Sequence, residues 1–71
     1  MSAMKRKRGA RVAQARETAG HSQSSLAAKL GIGRQSVIRL ELGEQTPSVD
    51  LALAISRELG ESVESLFGGG R

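Results

Sequence analysis

Arg34, Gln35, Ser36 and Arg39 fall within six residues and are the side chains of this sequence best suited to reading a polar template. An Arg can give two parallel hydrogen bonds to a guanine edge, and a Gln can exchange a matched pair with an adenine edge. On a helix the four share the outer face left by Val37 and Leu40. Little else points to chemistry. With no Cys, no Tyr and one His, His21, the chain has no thiol nucleophile, no disulfide, too few ligands for a structural zinc and no imidazole partner at catalytic spacing. No metal, cofactor or enzymatic activity is expected.

Charge sharpens that reading. Up to Arg39 the chain carries nine Lys/Arg against one Glu, whereas the remainder carries two Arg against six acids. A segment of +8 is thus followed by one of −4, an asymmetry that suggests a polyanionic partner for one face. With 71 residues there is room for one domain, and 38% apolar residues are enough for it to fold. No apolar run approaches a membrane span, and Lys5-Arg6-Lys7-Arg8 is not followed by the apolar stretch of a signal peptide. The chain is read as intracellular.

Glycines and a proline divide the elements that must carry these residues. Residues 1–8 read as a basic flexible arm, 9–67 as one domain, and 68–71 as a flexible tail or linker stub. Within the domain, breaks at Gly20, Gly31-Ile32-Gly33, Gly43 with Pro47, and Gly60 leave five pieces of helical periodicity. The first runs from about Ala10 to Ala19. The second is capped by Ser22, with His21 packing on Leu26 as a staple. The third runs from about Arg34 to Leu42, the fourth follows Ser48 with Val49, Ala52, Leu53, Ile55 and Leu59 inward, and the fifth follows Ser62. Val12, Leu26, Leu30, Val37, Leu40, Ile55, Leu59 and Leu66 are expected in the core. Two short helices joined by a three-residue turn containing Gly form a helix-turn-helix corner.

Ser22-Gln23, Leu26-Ala27, Leu30-Gly31, Arg34-Gln35-Ser36-Val37, Arg39, Glu41, Gly43 and Pro47-Ser48, followed by LALAISRELGESVESLF, together resemble the lambda-repressor-like helix-turn-helix family. This is also called the Cro/C1 or XRE type, and the resemblance covers Arg11 to Phe67. It implies an all-α, compact five-helix domain that regulates transcription, usually as a repressor, by binding double-stranded operator DNA as a symmetric dimer, on an inverted repeat.

By that resemblance Arg34, Gln35 and Arg39 occupy base-reading positions, and Ile38 stands where it could meet a thymine methyl group or be partly buried against a neighbour. Gln23 matches a phosphate-contacting Gln, with Ser22, Ser36 and Gly33 beside the same backbone track. Lys5, Arg6, Lys7 and Arg8 are expected to add salt-sensitive phosphate contacts. Arg16 and Glu41 match a structural ion pair that ties the first helix to the end of the third. Leu66 and Phe67, on the fifth helix, are expected at the dimer interface, with Leu42 near them.

The sequence departs from the family pattern at Gly33, where a Ser or Thr cap is usual, and at Glu44-Gln45, where cations are frequent. Two rival readings follow from other features. The glycine-rich end suits the DNA-binding part of a larger regulator with a C-terminal effector domain, and the acidic second half suits an antitoxin-like module that covers a toxin partner.

Overall fold

Serine side chains open three of the five helices. Ser22 Oγ accepts the Ser25 amide at 2.9 Å, Ser48 Oγ that of Leu51 at 3.1 Å, and Ser62 Oγ that of Ser65 at 2.9 Å. Each hydroxyl satisfies an amide that the first helical turn leaves without a backbone partner, which stabilises the helix by about 1 kcal/mol. The computed structural model describes residues 2–68, with side chains from residue 9 onward. Its elements are α1 (Ser2–Thr18), α2 (Gln23–Leu30), α3 (Arg34–Glu41), α4 (Val49–Leu59) and α5 (Val63–Phe67). The described chain is therefore all-α, with five helices.

Helix α1 starts eight residues earlier than its apolar spacing suggests, so the backbone of residues 5–8 continues the helix. Gly9, read from sequence as a boundary, lies inside α1 and is buried. A Cβ there would overlap the Glu41 carbonyl and stand 2.7 Å from the Gly43 amide nitrogen. A glycine in mid-helix costs roughly 1 kcal/mol relative to Ala. Here it lets α1 cross the end of α3 backbone to backbone.

Between α2 and α3 the chain turns at Gly31, whose φ of 72° lies in the left-handed region. The Ile32 amide then reaches the Ala27 carbonyl at 3.0 Å and the Gly31 amide that of Ala28 at 3.3 Å. This pair of bonds closes the C-terminus of α2 and swings the chain into α3. The main helix contacts run in a ring, from α1 to α3, α2, α4, α5 and back to α1. Inside it Val12, Leu26, Ala27, Val37, Leu40, Ile55, Leu59 and Leu66 form one core. Each large side chain buried there contributes about 1.5 to 3 kcal/mol.

Several expectations change at the rim of this core. Leu30 is only half-buried and packs at its edge with Ala15, Ile32, Leu51 and Phe67. Val49 and Leu53 are not inward-facing; they remain 76% and 42% exposed. The buried side of α4 is Ala52, Ile55 and Leu59, and α5, only five residues long, leaves the Val49–Leu53 side uncovered. The His21 ring faces polar partners, with Nδ1 3.0 Å from Ser25 Oγ and Nε2 3.8 Å from a Glu58 carboxylate oxygen.

Candidate nucleic-acid interface

Helix α3 divides cleanly because Val37 and Leu40, three residues apart, take the same side and are buried. Arg34, Gln35 and Arg39 are consequently exposed, while Ser36 and Ile38 are half-buried. Three long donors thus stand on one eight-residue rod. Ile38, one turn beyond Arg34, places a half-buried apolar side chain beside it on the helix surface.

The helix starts flank this rod with partial positive charge. At α3 the N-cap Gly33 is exposed and makes no side-chain cap bond, so the Ser36 amide turns to the Gly33 carbonyl at 3.0 Å. At α2 the exposed Ser22 caps the Ser25 amide, leaving earlier first-turn amides without intrahelical partners. Such ends favour an anion. The side chains of Lys5, Arg6, Lys7 and Arg8 lie outside the described residues, as do residues 69–71 of the expected tail.

A cluster of part-buried polar side chains ties α1 and the start of α2 to the end of α3. Arg16 Nε donates to Glu41 Oε2 at 2.5 Å and Nη2 donates to Oε1 at 3.3 Å, a two-pronged fork between α1 and the last residue of α3. Arg16 Nη1 donates to the His21 carbonyl at 2.8 Å, just before α2. The side chains of Arg16 and Glu41 are 11% and 8% exposed, so water screens the pair little. Gln23 joins them, its Nε2 donating to Glu41 Oε1 at 3.0 Å. Residues from α1, α2 and α3 therefore converge on one carboxylate. Sequence reading missed the Gln23–Glu41 bond because 18 residues separate the partners and no local pattern signals it. Arg11, which sequence reading also passed over, links α1 to α5 by donating from Nη1 to the Ser65 carbonyl at 3.2 Å.

The expected dimer residues separate. Leu66 is 1% exposed and belongs to the core, so it offers no surface to a partner; it is the side chain by which the short α5 docks. Phe67 is half-buried and lines an apolar groove of about 390 Å³ with Leu40, Thr46, Pro47, Val49 and Leu53. Leu42 is 47% exposed at the end of α3. Among the described residues no helix is long and apolar enough to cross a membrane, and no group of three or more His, Cys, Asp or Glu is placed to hold a metal ion.

Comparison with known proteins gives a consistent picture. The helix-turn-helix family profile matches residues 12–66. The chain is 41% identical over 46 residues to an uncharacterised HTH-type transcriptional regulator of Methanocaldococcus jannaschii, covering 65% of this chain and 70% of that protein. It is 43% identical over 53 residues to one of Methanothermobacter thermautotrophicus, covering 73% and 77% respectively. A third such regulator, from Bacillus subtilis, is 35% identical over 57 residues, covering 80% and 86%. No solved structure matches.

Proposed function

This chain belongs to the Cro/C1-type helix-turn-helix family of DNA-binding transcriptional regulators, and from that premise we propose that it is a sequence-specific repressor whose α3 enters the major groove of operator DNA. The observation that carries the reading is the division of α3. Val37 and Leu40 anchor the helix, leaving Arg34, Gln35 and Arg39 exposed together. Arg34, Gln35 and Arg39 discriminate bases, with Ile38 touching a thymine methyl group beside them. Gln23, Ser22, Ser36 and the exposed backbone at Gly33 engage phosphates and set the register. Lys5, Arg6, Lys7 and Arg8 add salt-sensitive affinity.

The regulator acts as a dimer on an inverted repeat, with half-site centres about one helical turn, roughly 34 Å, apart. The groove lined by Val49, Leu53 and Phe67 supports this arrangement, since it places apolar side chains on the surface beside the α3–α4 connection.

Selection of bound duplexes from a random pool at about physiological salt tests the proposal. An enriched inverted repeat with the stated spacing is expected. Unenriched, salt-labile binding would overturn sequence reading by α3 and move an antitoxin-like protein contact to the front. A single ungapped half-site would overturn the dimer and favour a regulator that pairs through another domain.

A further inference from the structure

Phe67 is the one aromatic residue of this chain, yet the core is aliphatic throughout. The ring is half-buried at the rim of that core and lines the groove together with Pro47, the one proline. Among the described residues three large hydrophobic side chains stay exposed, and two of them, Val49 and Leu53, line the same groove. Leu40 and Ala52, both buried, form its floor, so its shape exists before anything binds. Charged residues make up 25% of the sequence, but no described residue that lines the groove is charged, so an ionic occupant would find no counter-charge. The polar side chains of the lining, Gln45, Thr46 and Ser48, all belong to the α3–α4 connection.

We propose that this groove is a binding site for a small neutral molecule with a flat aromatic ring and one polar edge. Its volume of about 390 Å³ falls in the range of small-molecule sites, roughly 300 to 1,000 Å³, which are mostly apolar with a few placed polar groups. Phe67 offers the ring an aromatic partner in an offset or edge-to-face arrangement. Pro47, with its backbone angle fixed by its own ring, adds a stiff apolar wall. The polar edge of the molecule meets the 45–48 segment, where its hydrogen bonds to water are replaced. A charged molecule would instead leave water for an uncharged lining, which is costly. The regulatory consequence rests on the reading that a second copy pairs through this groove on DNA. The bound molecule takes the partner's place, so it lowers cooperative binding to an inverted repeat and leaves binding to a single half-site unchanged.

The probes are 1-naphthol, indole and quinoline, with 1-naphthoate and cyclohexanol as contrasts. Each is titrated into the full chain and followed by the amide shifts of Val49, Leu53 and Phe67 in proton–nitrogen NMR. At least one flat probe is expected to approach saturation by about 1 mM. The charged 1-naphthoate and the ring-flattened probes' saturated counterpart, cyclohexanol, are expected to bind about tenfold more weakly or worse. Val49→Asp and Leu53→Asp, at exposed positions outside the core cluster, are each expected to weaken the probe by about tenfold while the melting temperature of the free protein changes little.

No saturable shift with any flat probe would overturn the proposal. Equal affinity for 1-naphthoate or cyclohexanol would overturn it too, since that marks unselective apolar adsorption. Shifts at the same amides that follow protein concentration and ignore the probe would assign the groove to a second copy alone. Gel-shift titrations on an inverted repeat and on a half-site, with and without the bound probe, test the consequence. Undiminished cooperativity with the probe bound would overturn the competition and leave the site standing. Failure of the protein to enrich any duplex would bring down the DNA reading, whereas saturable binding of the probe would stand by itself.

Discussion

Gly9 in α1 and Glu41 at the end of α3 meet backbone to backbone, with no room for a Cβ between them. The obstacle is a carbonyl and not a flexible side chain, so one helix must move to admit even a methyl group. Gly9→Ala is therefore expected to destabilise the domain by about 1 to 3 kcal/mol, despite the roughly 1 kcal/mol by which Ala favours a helix. In a domain of this size that is a fall in melting temperature of about 4 to 8 °C per kcal/mol. An unchanged or raised melting temperature would show that α1 does not pack on α3 as described.

The fork between Arg16 and Glu41 is buried, so removing one partner strands the other. Arg16→Met should cost about 3 to 5 kcal/mol, measured by urea unfolding. Combining it with Glu41→Leu should cost clearly less than the sum of the two single changes, because the stranded charge is then gone. Strict additivity would mean that the two side chains contribute independently.

Arg39 is exposed and makes no bond that holds the fold among the described residues. Arg39→Ala should leave stability within about 0.5 kcal/mol. On the best selected site it should cost about 1 to 3 kcal/mol of binding and relax one base position. An equal loss on every duplex would reassign Arg39 to phosphate contact.

Leu53 is 42% exposed on the groove beside Val49 and Phe67, outside the core cluster. Leu53→Asp should therefore change the melting temperature little. Binding to an inverted repeat should lose cooperativity, while binding to an isolated half-site is retained. Gel-shift titration on the two duplexes separates these, and undiminished cooperativity would remove the groove from the dimer surface.

Much of the chain was legible because its signals are local. Ser22, Ser48 and Ser62 announce helix starts within three residues of the amides they cap, and Gly31 announces its turn through the one backbone conformation that other residues avoid. The outward face of α3 followed from the three-residue spacing of Val37 and Leu40. The pairing of Arg16 with Glu41 came from the family resemblance, since a separation of 25 residues leaves no periodic trace.

Other features depended on which surfaces the helices bring together. Spacing alone put Val49 and Leu53 inward with Ile55, but how α2 and the short α5 pack on α4 determines which of its faces is covered. Leu66 could have faced a partner or the core, and α5 turns it into the core. Gly9 looked like a boundary until α3 was seen crossing it, and Gln23 looked like a surface amide until Glu41 arrived beneath it. Propensity and capping act over one helical turn, so sequence determined most of the helix bounds and the outward face of α3. Burial and charge pairing act between residues distant in the chain, so the rim of the core and the three-helix carboxylate cluster were decided only by the tertiary structure.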